Sequence, residues 1–166
     1  MKNKAIKGLL FIVIFTLLTA CYQKKEEPVV AVVDKDQVKK EIQAMEDAFA
    51  KAYNERDMDA IVYYDVDAIT YSQNAPALVG KIAIDKSIRQ DIESFPKGYK
   101  IANTTNEVHI SNDGEQVVEI GAYHIVDSTN TLKSSGNYIS LFKKLGSKYI
   151  CIRDMAASNM PKVVKK

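Results

Sequence analysis

Residues Gly98–Asn159 read GYKIANTTNEVHISNDGEQVVEIGAYHIVDSTNTLKSSGNYISLFKKLGSKYICIRDMAASN, and this stretch decides the fold. It divides into four long segments, Tyr99–Ser111, Gln116–Asp127, Leu132–Leu145 and Lys148–Ala157. Each is rich in the β-branched and aromatic residues that suit a pleated surface. Between them stand Asn112-Asp113-Gly114, Ser128-Thr129-Asn130 and Gly146-Ser147, residues that make tight reversals. The segments therefore read as an antiparallel meander. Strands of ten or more residues exceed the usual length, so a curved or bulged sheet is expected.

Working back from Gly98, the chain turns helical. Lys81–Phe95 places Ile84, Ile88 and Ile92 four residues apart, and Pro96 and Gly98 stop the helix. Pro76 and Gly80 bracket the loop before it, and Asp65–Ser72 reads as extended. Asp57 is a suitable N-cap for a short helix over Met58–Tyr64. Asp36–Asn54 is the longest helix, with Val38, Ile42, Met45 and Phe49 in one stripe and Asp34 or Asp36 at its start. The expected fold is α+β: a curved antiparallel sheet of about four long strands plus short strands, covered on one face by three N-terminal helices.

The chain start carries an address. Lys2, Lys4 and Lys7 precede the apolar run Leu9–Leu18, which is too short to span a bilayer but suits the core of a signal peptide. The run ends in Leu18-Thr19-Ala20-Cys21, which resembles the lipobox of bacterial lipoproteins. That resemblance implies cleavage before Cys21, acylation of its sulfur (palmitate among the acyl chains) and anchoring in a bacterial cell envelope, facing the periplasm or the cell surface. Several acyl chains on one residue give stable anchoring where one is marginal. The expected organisation is a signal peptide at 1–20, a lipidated tether at 21–35, one domain at 36–160 and a basic tail at 161–166. Within the tether, Tyr22–Glu27 is charged and closed by Pro28, which fits a solvated spacer. It also resembles the surface-export signal of some Gram-negative lipoproteins. Val29–Val33 is a short apolar patch after it.

The precursor's formal charge of +2 becomes −1 once the three signal lysines leave. A near-neutral mature chain carries no electrostatic footprint for nucleic acid. With Cys21 committed to lipid, Cys151 has no partner for an intramolecular disulfide, and in its apolar strand it reads as a small packed hydrophobe. Nothing in the sequence calls for a cofactor.

Several stretches together resemble a known superfamily. Arg56-Asp57-Met58-Asp59-Ala60 followed by Tyr64-Asp65-Val66-Asp67-Ala68 is similar to the opening of nuclear-transport-factor-2-like (NTF2-like) proteins. Gly80-Lys81-Ile82-Ala83-Ile84 matches the glycine at the head of their third helix. Ile120-Gly121-Ala122-Tyr123, Gly136-Asn137-Tyr138 and Gly146–Asp154 look like their strands, with Tyr149 where relatives usually carry Trp. The branch resembled most is that of the SnoaL-like and DUF4440 proteins, over roughly residues 36–160. The resemblance implies a cone with a pocket between sheet and helices, and frequently a homodimer through the sheet. It implies no single activity, since the superfamily holds isomerases, dehydratases, hydrolases, assembly domains and binding modules.

Ketosteroid isomerase, one member, uses an Asp base with Tyr and protonated Asp as oxyanion donors. Matching on Asp57 and Asp67 places Ser72 at the base and Phe49 at the tyrosine, and the donor aspartate falls in Asn137–Ile139, none of them acidic. That chemistry is not expected here.

Strand alternation nominates other candidates. Val118, Ile120, Ala122, His124 and Val126 share one face of the second long strand, so His124 is the ionisable group on an apolar face. It is either a satisfied core histidine or an acid–base group. Asp154 shares parity with Ile150 and Ile152, so His124 and Asp154 are the acid–base dyad to consider. His109 alternates with Val108 and Ile110 and is expected to face water. Tyr63, Tyr64, Tyr71, Tyr123 and Tyr138 suit either an apolar ligand with a polar end or a dimer interface. The candidate pocket is then Phe49, Tyr64, Tyr71, His124, Tyr138 and Asp154. Asp57, Asp59, Asp65 and Asp67 lack metal-loop spacing and read as caps and turns.

The sequence supports three readings of function: a binder of a small apolar molecule or partner protein without catalysis, an isomerase, dehydratase or hydrolase using His124 and Asp154, and an assembly module with Tyr123 and Ile125 on its exposed sheet face.

Overall fold

The structure is a computed structural model that describes residues 33–161. The signal peptide, Cys21, most of the tether and the last five residues lie outside the described residues.

Helix α1 (Lys35–Glu55) begins where Asp34 Oδ1 accepts from the amides of Asp36 and Gln37, both at 3.0 Å, so the expected N-cap is formed. It ends at Arg56, whose positive φ of 62° closes the last turn through its amide. The expected second helix is only a 3-10 turn, Met58–Ala60, capped by Asp57 Oδ1 at 3.2 Å. Ile61, Tyr63 and Tyr64 are buried and lead straight into strand β1 (Tyr64–Ser72). β-branched and aromatic side chains that bury in an extended segment outcompete a single helical turn. Two-residue β2 (Leu78–Val79) pairs back on β1, and α2 (Lys81–Ser94) follows with Ile84, Ile88 and Ile92 buried. There are therefore two helices, not three, among the described residues.

The meander comes next: β3 (Lys100–Ile110), β4 (Gln116–Val126), β5 (Leu132–Leu145) and β6 (Lys148–Ser158). The six strands form one sheet in the order β2-β1-β6-β5-β4-β3. β6 runs parallel to β1, so the sheet is mixed rather than wholly antiparallel. Helix α1 packs on β3, and α2 packs on β1.

β3 is an edge strand, and α1 satisfies its free backbone groups with side chains. Asn54 bonds both ways with Ile101 at 2.8 and 2.9 Å, and Gln43 takes the Thr105 amide at 2.8 Å. Lys39 Nζ donates to the Asn106 carbonyl at 2.6 Å. An edge that would otherwise template pairing is thus closed by a helix. Apolar burial centres on Ile42, Val108, Val117, Phe142 and Cys151, each fully enclosed, with Val33 packed against the same core. Tyr149 is buried and donates to the Gly114 carbonyl at 2.9 Å.

Two glycines make room for two tyrosines across the sheet. Gly121 pairs with Tyr138, and a Cβ there would lie 2.2 Å from the Tyr138 ring. Gly136 pairs with Tyr123, and a Cβ there would lie 2.4 Å from that ring. Gly121→Ala is expected to displace Tyr138 and lower stability by about 1–3 kcal/mol, the usual range for overpacking. Denaturant unfolding of the variant beside wild type checks this; an unchanged midpoint would show that the ring does not need the space.

Candidate functional site

Rows of cross-strand partners run over the helix-covered face. One is Asn103, Tyr123, Gly136 and Ser158; the next is Thr105, Gly121, Tyr138 and Ala156. The third is Val108, Glu119, Ser140, Asp154 and Thr70, and the fourth starts at Ile110 and Val117 and passes through Phe142 and Cys151 to Tyr64. The inner face of β4 is therefore Val117, Glu119, Gly121 and Tyr123, the opposite of the face chosen by apolar content.

His124 is exposed on the outer face and pairs with Ser135. Asp154 sits opposite Ser140, whose β4 partner is Glu119, five positions along the strand from His124. At ~3.4 Å per residue that is about 17 Å, on the other side of the sheet. The proposed dyad of His124 and Asp154 does not form. The physical reason is that Val118, Ile120 and Ala122 look like a core face but lie outside, while the true inner face hides Glu119 by hydrogen bonding it.

Asp154 reaches the inner face through a β-bulge. Leu141 pairs with Arg153 and Phe142 with Cys151, so Ile152 is an extra residue on β6. The bulge reverses alternation, putting Asp154 on the same side as Cys151 rather than with Ile150 and Ile152. A second bulge at Asn106 on β3 lets both Thr105 and Val108 face inward. The carbonyl of that bulge is the one held by Lys39.

These devices shape an open-mouthed chamber of about 200 Å³ between α1 and the sheet. Glu46 and Phe49 come from α1, Tyr63 and Tyr64 from the entry to β1, and Ile101 and Asn103 from β3. Tyr123, Tyr138, Ser140, Asp154 and Ala156 complete the walls. Of the sequence candidates, Phe49, Tyr64, Tyr138 and Asp154 line it. Tyr71 does not: it is 44% exposed on the outer face, paired with Met155. A second, larger concavity of about 560 Å³ lies beyond the Phe49 and Tyr63 rings, lined mainly by apolar residues such as Met45, Val62 and Ile150.

Glu46 and Glu119 were not legible as site residues, though both are almost fully buried. Tyr63 donates to Glu46 Oε1, and Asn103 Nδ2 donates to Glu46 Oε2 at 2.8 Å. Thr105 and Tyr138 donate to Glu119 Oε1 at 2.5 and 3.1 Å. Glu119 Oε2 is buried with no hydrogen-bond partner. Tyr64 donates to Asp154 Oδ2 at 2.8 Å, while Ser140 reaches Oδ1 only at 3.5 Å. A glutamate three or four residues from Ile42 and Phe49, on the apolar side of α1, was the signal available for Glu46.

Burial pushes all three carboxyls above the ordinary carboxylate range. For Glu46 the neighbouring Glu119 charge adds to this, and the Tyr63 and Asn103 hydrogen bonds oppose it. For Glu119 and Asp154 the bonds from Thr105, Tyr138, Tyr64 and Ser140 oppose it. The same burial raises the Tyr63, Tyr64 and Tyr138 hydroxyls and the Cys151 thiol, leaving Cys151 a packed, unreactive group. Neutral carboxyls beside tyrosines can donate a proton or a hydrogen bond to a guest. Among the described residues, no three His, Cys, Asp or Glu side chains are placed to hold a metal ion.

A carboxyl raised on folding binds its proton more tightly in the native state. Its stabilising effect is complete below the unfolded value and is lost as pH rises through the folded one. Stability is therefore expected to fall as pH rises from the carboxylate range into the alkaline range. The slope is at most about 1.4 kcal/mol per pH unit for each group. Glu46→Gln should flatten that fall in urea melts across pH; an equally steep profile would remove Glu46 as a source.

No protein-family model and no curated protein matches this chain. Solved structures do. A ketosteroid isomerase-like protein from Erwinia carotovora atroseptica is 18% identical over 76% of this chain and 99% of its own, with a TM-score of 0.59. A domain of unknown function with a cystatin-like fold from Nostoc punctiforme gives 12%, 72% and 76%, with a TM-score of 0.63. A provisionally assigned dehydratase of the NTF2-like family from Streptomyces avermitilis gives 14%, 76% and 99%, with a TM-score of 0.60. At these identities the likeness establishes the architecture: the chain carries the cystatin-like, NTF2-like fold.

Proposed function

We propose that this chain is a cell-envelope binding domain, anchored by lipid on Cys21, that holds a small, largely apolar molecule by a polar group in the chamber. The observation that carries this is a concave site in which buried carboxyls, each held by a tyrosine hydroxyl, meet aromatic walls. Concave sites with mostly apolar walls and a few convergent polar groups are the usual form of ligand pockets. The volume exceeds the ~150 Å³ of an apolar cavity that accepts benzene, so a guest of about one ring fits.

A second reading is an acid–base enzyme of isomerase, dehydratase or hydrolase type. Asp154 supports it, because its carboxyl lines the chamber between Tyr64 and Ser140 and burial raises it above the ordinary carboxylate range. His124 has no part in that reading. Membership of the SnoaL-like and DUF4440 branch rests on the strand and turn motifs of the sequence.

Assembly through the sheet is compatible with either reading. Ile120, Ile139, Met155 and Tyr71 form one apolar row across the outer face, with Ile139 47% and Met155 53% exposed. Tyr123, expected there, lines the chamber instead.

Native mass spectrometry of the chain from Tyr22 onward is expected to show a bound mass that leaves on denaturation, and Tyr138→Ala should lose it. Protein that stays ligand-free after exposure to cell-envelope extract would count against the binding reading. Cys21→Ser should shift the protein out of the membrane fraction; retention there at unchanged mass would end the lipid assignment. Light scattering at tens of micromolar should give a dimer, and a monomer throughout would remove the sheet interface.

A further inference from the structure

The chamber contains negative chemistry without its complement. Its walls supply the carboxyls of Glu46 and Asp154 and no Lys, Arg or His. Glu119 adds a third carboxyl behind Tyr138, beside Glu46. The nearby cations are engaged elsewhere: Lys143 with Asp65, Lys39 with the Asn106 carbonyl, and Arg153 with the carbonyls of Ile152 and Asp67. Buried carboxylates in proteins are ordinarily paired. Among the described residues no cationic side chain lines the chamber to pair with them.

We propose that the chamber takes an organic cation, a protonated amine on a small apolar body, bound by Asp154 and Glu46 among the rings of Phe49, Tyr63, Tyr64 and Tyr123. The inference rests on the chamber being the ligand site and adds the chemical class of the ligand. Asp154 Oδ1, with Ser140 only at 3.5 Å, keeps acceptor capacity on the cavity side. An ammonium brings three donors and no acceptor, which suits a site whose hydroxyls already donate to carboxyls. Ring faces around a desolvated cation add attraction of their own. A carboxylate guest would instead find no Lys, Arg or His on the chamber walls to pair with it.

Without ligand, burial pushes Glu46 up to about 8, so it holds its proton at neutral pH, and burial also raises Asp154 and the facing hydroxyls of Tyr63, Tyr64 and Tyr138. An entering ammonium supplies the countercharge, so one carboxyl ionises and its proton leaves to solvent. The ammonium keeps its own proton. Charge then balances inside the site, and binding is accompanied by net proton release.

The test is isothermal titration of the purified full chain at neutral pH with benzylamine, benzyl alcohol and benzoate, in two buffers of different ionisation enthalpy. Benzylamine is expected to bind at least about tenfold more tightly than benzyl alcohol, with benzoate silent and about one proton released per amine bound. Asp154→Asn should abolish the preference for the amine over the alcohol. If the alcohol binds as well as the amine, the cation assignment is wrong and the chamber remains a ligand site. If none of the three binds, both fall. Should Asp154→Asn not fold, the comparison of the three probes on the wild-type chain decides the matter alone.

Discussion

Glu46 sits on the underside of α1, almost fully buried, and its two oxygens are held from two directions: by Tyr63 at the entry to β1 and by Asn103 on β3. One carboxyl thus ties the long helix to both flanks of the sheet. Because that carboxyl is taken out of water beside Glu119, it keeps its proton, and the helix can lie over a polar chamber without a buried charge. An apolar residue at this position would close the gap as core. The chamber exists because this position is filled by an acid that the surrounding hydroxyls and amide satisfy.

The sheet beneath is shaped to meet that helix. Bulges at Asn106 and Ile152 each reverse the alternation of a strand, one bringing Thr105 inward and the other Asp154. Gly121 and Gly136 leave the space that the Tyr138 and Tyr123 rings fill. Beyond the chamber the row from Val117 through Phe142 to Cys151 is apolar and closed, and it anchors the floor. Stability and site therefore occupy adjacent rows of one face, the first dry and the second polar.

The outer face follows from the same division. Once the inner face of β4 carries Glu119, Gly121 and Tyr123, the aliphatic residues Val118, Ile120 and Ala122 must point away from the helices. The apolar row through Ile139 and Met155 is the consequence, and it is the surface a second copy of the chain would cover.

Local chemistry was enough to determine the meander, both helices, the Asp34 cap, the stop at Gly98 and the exposed setting of His109, since each rests on short-range periodicity or turn residues. Phe49, Tyr64, Tyr138 and Asp154 were legible as pocket residues because aromatic and acidic groups at the right end of a strand stand out. Hydrophobic content could not tell which face of β4 is inner, and it chose the wrong one, carrying His124 into a dyad that does not form. That choice depends on hydrogen bonds to Glu119 from strands β3 and β5, which no window of β4 contains. Met58–Tyr64 reads as helical in isolation and extends because Ile61, Tyr63 and Tyr64 bury against distant elements. The sequence by itself determined the order of elements and the curled sheet, both set by neighbours along the chain. The tertiary structure decided the strand registers, the two bulges and the meeting of Glu46, Glu119 and Asp154, because those require residues more than a hundred positions apart to agree on one face.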